Sequence, residues 1–187
     1  MADVTQFEEL VLPHLDAAYN LARWLTRDAN DAEDVVQDAC LRALRYVKSL
    51  NGGSARAWFL TIVRHAFYDW CRRNRSGPVE ADGGAATETA ADPWAPDPAD
   101  LMVRMQDAHA LADAIAALPV AFREVLVLRE LEDLSYKEIA RIADIPIGTV
   151  MSRLARARTL LQRAPALRDA MVAPGERHEM QTSRQPG

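Results

Sequence analysis

The sequence predicts an all-α protein: two small helical domains joined by a flexible acidic linker, the C-terminal one containing a helix-turn-helix. Three observations predict it. Apolar residues recur at the 3.6-residue helical period in both halves, and no segment alternates polar and apolar as a strand does. Residues 76–100, SGPVEADGGAATETAADPWAPDPAD, hold 4 Pro, 3 Gly, 6 acids and no base. Such a stretch cannot bury a core and repels itself. Finally, Leu134 to Leu161 joins two short helical patterns across a tight turn. The expected domains are 1–75 and 101–163, with the linker at 76–100 and a disordered tail at 164–187 that contains Pro165, Pro174, Gly175 and Pro186.

In the first domain, Phe7, Leu10, Val11, Leu15, Ala18, Leu21, Ala22 and Leu25 mark a helical stripe between Val4 and Leu25. Asn30 followed by Glu33 reads as an N-cap with its capping box. The helix after it aligns Ala32, Val35, Val36, Ala39, Ala43, Leu44 and Val47, and Asn51-Gly52-Gly53 stops it. Ser54 opens a third helix running to about Arg75. Beyond the linker, helices are expected at about Leu101–Ala117, Val120–Glu132, Ser135–Ala143 and Ile147–Arg163, with Leu118-Pro119 separating the first two. Ser135 caps the third of these and Glu138 completes its box. Ala143-Asp144-Ile145 makes the turn, and Pro146 prevents that helix from running on.

Composition bounds the function. Of 187 residues, 49% are apolar and 26% charged, which is ordinary for a globular protein and excludes a wholly disordered chain. The longest aliphatic run lacking Ala is Val125-Leu126-Val127-Leu128, far short of the ~20 residues a membrane span needs. No basic region precedes an apolar core near Met1, so no secretory signal is expected. Cys40 and Cys71 form neither a CxxC pair nor a disulfide framework, and the expected compartment is the reducing cytoplasm. The net charge of −5 conceals segregation: residues 1–76 are neutral, 77–113 carry −7, and 114–163 carry +2. Nucleic-acid binding must therefore be judged segment by segment.

From Thr149 to Arg163 there are four arginines, 153, 156, 158 and 163, and no acid. Val150, Leu154, Ala157 and Leu161 form the inward stripe of that helix. Its position after the turn is that of a helix entering the DNA major groove; an amphipathic helix with a solvated basic face is the blander reading. From Trp58 to Trp70, 13 residues hold five of the chain's 12 aromatics, interleaved or flanked by Arg56, Arg64, Arg72, Arg73 and Arg75 and opposed only by Asp69. Aromatics beside cations suit unstacked single-stranded bases. Phe59, Val63, Phe67 and Trp70 share one face and read instead as core. His65 and Asp69 lie on another face, with the basic set, and point to nucleic acid; packing is the other reading of His65. On the helix Asp31–Lys48, the residues Asp34, Gln37, Asp38, Leu41 and Arg45 lie opposite or beside the apolar stripe, which by itself is a solvated face.

No catalytic residue is expected. The four histidines are scattered, and HExxH, GxSxG, P-loop, GxGxxG and Cys/His metal spacings do not occur. Neither a metal nor a cofactor is called for.

Taken together, AEDVVQDACLRAL, then RAWFLTIVRHAFYDWCRRNR, an acidic linker, and ALPVAFREVLVLRELEDLSYKEIARIADIPIGTVMSRLARAR resemble an extracytoplasmic-function sigma factor of the sigma-70 family. The resemblance covers about residues 7–75 and 101–163. It implies a bacterial transcription initiation factor that binds core RNA polymerase through its clamp and flap elements and reads promoter DNA, −10 as single strand and −35 as duplex. It implies an anti-sigma factor as a further partner, and no membrane. Asp34, Gln37 and Asp38 fall on the family's clamp-contacting D-x-x-Q-[ED] pattern, with Leu41 and Arg45 beside them. The −10 residues it implies are Gly52, Gly53, Arg56, Arg64, His65, Asp69, Arg72 and Arg73. The loop from Leu50 to Arg56 matches the segment that captures a flipped base, where glycine permits close backbone approach. His65 stands where relatives often carry Asn. The implied −35 residues are Thr149, Met151, Ser152, Arg153, Arg156 and Arg158. Met151 replaces a base found in several relatives and cannot make the bidentate contact Arg makes to guanine.

A flexible 25-residue linker has an r.m.s. span of roughly 28 Å and reaches about 80 Å fully extended. The promoter gap expected in the family, roughly 17 base pairs, spans about 58 Å. The linker must therefore stretch in use, which its uncompensated acids favour. An ordinary helix-turn-helix regulator with an N-terminal dimerisation or effector domain accounts equally well for residues 134–163. It leaves the aromatic-basic helix and the D-x-x-Q-D pattern unexplained.

Overall fold

The computed structural model describes residues 2–50, 53–74 and 108–164. The expected linker, residues 101–107 of the helix after it, and the tail beyond residue 164 lie outside the described residues. Among the described residues every regular element is helical, and no helix is long and apolar enough to cross a membrane. They fall into two units, one of residues 2–74 with 119–156, the other of 108–118 with 157–164.

The single stripe expected between Val4 and Leu25 is two helices, α1 (Ala2–Val11) and α2 (Leu15–Thr26), with a 3-10 turn at Leu12–His14 between them. Pro13, which has no N–H to give the ladder, stands at the break. Three residues of 3-10 turn drift about 60° from the α-helical phase, little enough for the two apolar stripes to read as one. Arg27 ends α2 in the left-handed region at φ 68°. The cap of α3 (Ala29–Tyr46) is therefore Asp28, not Asn30: the Asp28 carboxylate accepts N–H bonds from Asn30 at 2.8 Å and Asp31 at 3.0 Å. Asn30 and Glu33 sit inside the helix instead. The buried stripe of α3 is Ala32, Val35, Ala39 and Ala43, with Val47 just beyond it, whereas Leu44 is 39% exposed and turned outward.

Ser54 accepts the Ala57 N–H at 3.2 Å and opens α4 (Ala55–Asn74). α2, α3 and α4 pack mutually around Ala18, Leu21, Ala22, Leu25, Phe59, Leu60, Val63 and Ala66. Alanine on facing stripes lets the helix axes approach while Phe59 and the leucines fill the remaining space.

In the second unit, residues 108–116 form α5, which buries Ala114, Ile115 and Leu118 and ends before Pro119. In the first unit, α6 (Val120–Leu126) widens into a π-turn over Val127–Leu131, so the helix expected to Glu132 is present but not regular. The Glu132 N–H reaches back five residues to the Val127 carbonyl at 3.1 Å. Eight residues make about 2.2 α-turns. One wider turn makes them close to two, bringing Glu132 towards the side of the helix that carries Glu124.

α7 (Tyr136–Ala143) carries the expected capping box: Ser135 accepts the Glu138 N–H at 3.3 Å, and the Glu138 carboxylate accepts the Ser135 N–H at 2.9 Å. Asp144 takes the left-handed conformation, φ 51°, and Pro146 precedes α8 (Ile147–Arg163). The helix-turn-helix is thus set by one cap, one left-handed residue and one proline. The box holds the Glu138 carboxyl below the usual carboxylate range, through its bonds from Ser135. That contribution to stability is present above the unfolded value of the group and is lost as pH falls through the folded one. Ser135→Ala removes the cap and should cost about 1 kcal/mol. Thermal unfolding at neutral pH should show the loss, and the difference between variant and parent should shrink in acid.

Candidate nucleic-acid interface

The apolar spacing of α4 buries Phe59, Val63 and Phe67, so three of the four residues read as a core stripe are core; Trp70 is half-buried and stacks on Phe67 with centroids 6.3 Å apart. With those residues turned inward, Arg64, His65, Tyr68, Asp69 and Arg72 follow at the three- and four-residue spacings that share a helix face, His65 and Arg72 exposed and the other three half-buried. With Arg42 of α3 they line an open basin of about 510 Å³. His65, Arg72 and Arg73 are exposed. Gly53, at the entry to α4, has φ +97°, which side-chain-bearing residues rarely adopt, and open space where a Cβ would stand. Gly52 lies outside the described residues.

The basin is held by a charge chain across two helices. Arg42 donates to both oxygens of Asp38, at 3.1 and 2.7 Å, and to Asp69 at 2.5 Å. Arg72 pairs with Asp69, and Arg73 reaches Asp38 at 3.4 Å. The Arg42 hydrogen bond, helped by Arg72, holds the Asp69 carboxyl below the usual carboxylate range against a burial effect of opposite sign.

On α3, Asp34, Gln37, Leu41 and Arg45 are exposed together on one face, Leu41 by 58%, while Asp38 is half-buried under Arg42. Leu44 and Tyr46 add exposed apolar surface to this helix, 39% and 59%. On α8, Met151, Ser152, Arg156 and Arg158 are exposed, Thr149 and Arg153 are half-buried, and Val150, Leu154 and Ala157 are buried. The Ser152 hydroxyl donates to the Thr149 carbonyl at 3.0 Å. All six expected residues thus lie on or beside the outer face of one helix.

Sequence reasoning missed three residues here, Arg42, Glu124 and Glu132, and took Tyr68 only as one of the five clustered aromatics. Arg42 was visible as the i+4 partner of Asp38. The two glutamates were visible as acids set within the densely apolar segment from Val120 to Leu134, where an unpaired carboxylate would be costly. Glu124 is 0% exposed and Glu132 5%. Glu124 pairs with Arg64 and accepts the Tyr68 hydroxyl at 3.2 Å; Glu132 pairs with Arg56 and accepts from the Asn20 amide at 2.5 Å. The Arg64 guanidinium also lies 4.7 Å from the Tyr68 ring centroid. Burial pushes the Glu124 carboxyl up in spite of the Arg64 charge beside it. Burial, then the Glu124 charge, pushes the Tyr68 phenol up to about 12. Arg123, buried and donating to the Leu25 carbonyl at 3.3 Å, is lowered to about 10, mainly by burial and then by Arg27. Among the described residues no three His, Cys, Asp or Glu side chains are grouped to hold a metal ion.

Because the Arg42 bond is the largest influence on Asp69, Arg42→Ala should raise the Asp69 titration midpoint more than Arg72→Ala does. Carbon-detected NMR titration of the Asp69 carboxyl distinguishes the two; equal shifts would contradict the chain described above. The Asp69 contribution to stability, present above its unfolded value and lost as pH falls through the folded one, should be largely absent from Arg42→Ala.

Comparison with known proteins identifies the family. Residues 10–77 match the Sigma-70 region 2 family and residues 108–161 match Sigma-70, region 4. The chain is 33% identical over 178 residues to the RNA polymerase sigma-H factor of Pseudomonas aeruginosa, covering 90% of this chain and 91% of that one. It is 36% identical over 142 residues to the ECF RNA polymerase sigma-E factor of Escherichia coli K12, covering 70% and 71%. It is also 32% identical over 161 residues to the ECF RNA polymerase sigma factor SigE of Mycolicibacterium smegmatis, covering 86% of this chain and 62% of that factor. Among solved structures it is similar to the sigma factor RpoE bound to the anti-sigma factor NepR from Bartonella quintana, with TM-score 0.68 and 28% identity over 84% of this chain and 95% of that one. The helices, the two matched regions in this order, and these relatives make the chain a member of the sigma-70 family, an ECF sigma factor: a transcription initiation factor and not an enzyme.

Proposed function

We propose that this chain directs core RNA polymerase to its promoters with three separate surfaces. The α3 face of Asp34, Gln37, Leu41 and Arg45, with Asp38 behind it, docks on the polymerase clamp. The α4 face, with Gly52, Gly53, Arg56, Arg64, His65, Asp69, Arg72 and Arg73, captures the opened −10 strand. The outer face of α8, with Thr149, Met151, Ser152, Arg153, Arg156 and Arg158, reads the −35 duplex. The first surface and the −10 face belong to the domain of residues 1–75, and the −35 face to that of 101–163. The segment 76–100 spans between them and stretches when both elements are engaged. Work with polymerase places the protein in the cytoplasm, and the resemblance to sigma factors solved with anti-sigma partners supports an anti-sigma factor as its regulator.

The observation that carries this reading is the division of α4. Its aromatics Phe59 and Phe67 go to the core while Arg64, Arg72 and His65 share one open basin. A cationic basin edged by an aromatic ring suits a displaced base and its phosphates. The lone His65 offers one donor and one acceptor where Asn would offer both on one amide, which shifts the −10 preference.

Replacing Asp34, Gln37 and Asp38 together by Ala should abolish co-elution with core polymerase while circular dichroism stays at the parent value. A triple variant that still binds core at parent affinity would refute the clamp assignment.

The two DNA surfaces separate by substrate. A base-specific Arg contact is worth about 1–3 kcal/mol of discrimination, whereas a phosphate contact weakens all sequences alike. Arg153→Ala or Arg156→Ala should reduce holoenzyme binding to promoter duplex and leave binding to a single-stranded −10 oligonucleotide unchanged. His65→Ala should do the reverse, and since His65 is exposed its removal leaves the core intact. Equal losses on both DNA forms for all three variants would refute the division of labour.

A further inference from the structure

We propose that α8 carries an apolar strip, Ile147, Met151 and Ala155, that selects thymine in the −35 element by packing on its C5 methyl group. The inference rests on the proposed reading of α8 as the −35 helix and names the base chemistry that this surface takes.

The strip is the feature of α8 that its arginines do not explain. The helix already has an inward apolar stripe, Val150, Leu154 and Ala157, and all three are buried. Ile147, Met151 and Ala155 recur at four-residue spacing on a different face. All three are exposed, Ile147 by 42% and Met151 by 54%. A merely solvated face would carry polar residues there. Gly148 stands beside the strip and is exposed, and a Cβ on it would meet nothing within 4 Å. Packing therefore does not demand a glycine at this position. With no side chain there, the start of the strip stays open to a partner.

The surroundings identify that partner. Thr149 to Arg163 holds four arginines and no acid, and Arg156 and Arg158 stand exposed beside the strip. An apolar strip alone also fits a protein surface, but charge of one sign around it matches a polyanion. In the major groove the apolar group that marks one base pair from another is the thymine C5 methyl. The N-terminal residues of a recognition helix are those that reach base edges, and Ile147 and Met151 occupy that end of α8. The polar neighbour of Met151 is directional as well. Ser152 gives its hydroxyl proton to the Thr149 carbonyl at 3.0 Å, so its oxygen offers only lone pairs to DNA. It accepts from the amino group of adenine or cytosine and has no proton for guanine. The first two turns of α8 thus ask for a methyl group and an amino group, both of which an A·T pair presents in the major groove.

The test uses holoenzyme formed from the full chain, and a duplex that it selects from a pool randomised over the −35 and −10 tracts. Each thymine of the selected −35 tract is replaced in turn by uracil, which pairs with adenine in the same way and lacks only the methyl. At one position or more, uracil should weaken binding by the parent about fourfold, the effect of one buried methyl group. Met151→Ala should lose most of that difference, whereas Met151→Leu should keep it. The side chain is exposed, so circular dichroism should match the parent for both variants. A selected −35 tract without thymine, uracil tolerated at every position, or discrimination undiminished in Met151→Ala would each overturn the strip. Loss of core polymerase co-elution in Met151→Ala would mark the strip as a protein contact and overturn it too. Arg156→Ala separates the strip from the reading on which it rests. If that variant weakens duplex binding while uracil has no effect, α8 still reads the −35 element and only the strip falls. If the holoenzyme selects no −35 tract and Arg156→Ala binds as the parent does, the −35 reading falls with it.

Discussion

The carboxylate of Glu124 is the constraint on which the first unit depends. It is fully removed from solvent, and a charge in that position must be paired and hydrogen-bonded or it is too costly to keep. Arg64 and Tyr68 satisfy it from α4, and the field of Arg153 reaches it from α8. α4 and α6 are therefore tied through one oxygen pair. The balance is narrow, because burial still disfavours the charged form of Glu124 with Arg64 beside it. The pairing confers geometry more than strength: it tells the helices where to sit, while apolar burial by Phe59, Leu60, Val125 and Leu128 keeps them folded.

A second chain of charges joins two helices. Arg42 is shared between Asp38 on α3 and Asp69 on α4. It explains why Asp38 is half-buried although its neighbours Asp34 and Gln37 stand free of the core.

The helical class, the helix-turn-helix with its Ser135 box and Pro146, the outward arginines of α8 and the inward aromatics of α4 were legible because each rests on local rules. Caps, turns and the 3.6-residue period act within a few residues. What escaped the sequence rests on longer range or on backbone subtlety. The Pro13 break kept phase and so hid within a continuous stripe. The Asp28 cap depends on the left-handed Arg27 before it. Leu44 belonged to the apolar pattern but falls at its margin, where a shift of a few degrees decides between core and solvent. The π-turn leaves no periodic mark over five residues. Above all, the partners of Glu124 and Glu132 lie 60 and 76 residues away in the chain. No local pattern announces such pairs; only the cost of an acid in an apolar segment hints that a cation must arrive from elsewhere.

That long-range pairing gives meaning to the segregation of charge. Read by average, a protein of net charge −5 is a poor ligand for DNA. Read by position, Arg56 and Arg64 of α4 meet Glu132 and Glu124, while Arg72, Arg73, Arg156 and Arg158 stand exposed. A domain of about 75 residues has little core of its own and is marginal alone. Packing residues 119–156 against it, with Val125 and Leu128 fully buried, adds apolar burial that it lacks alone.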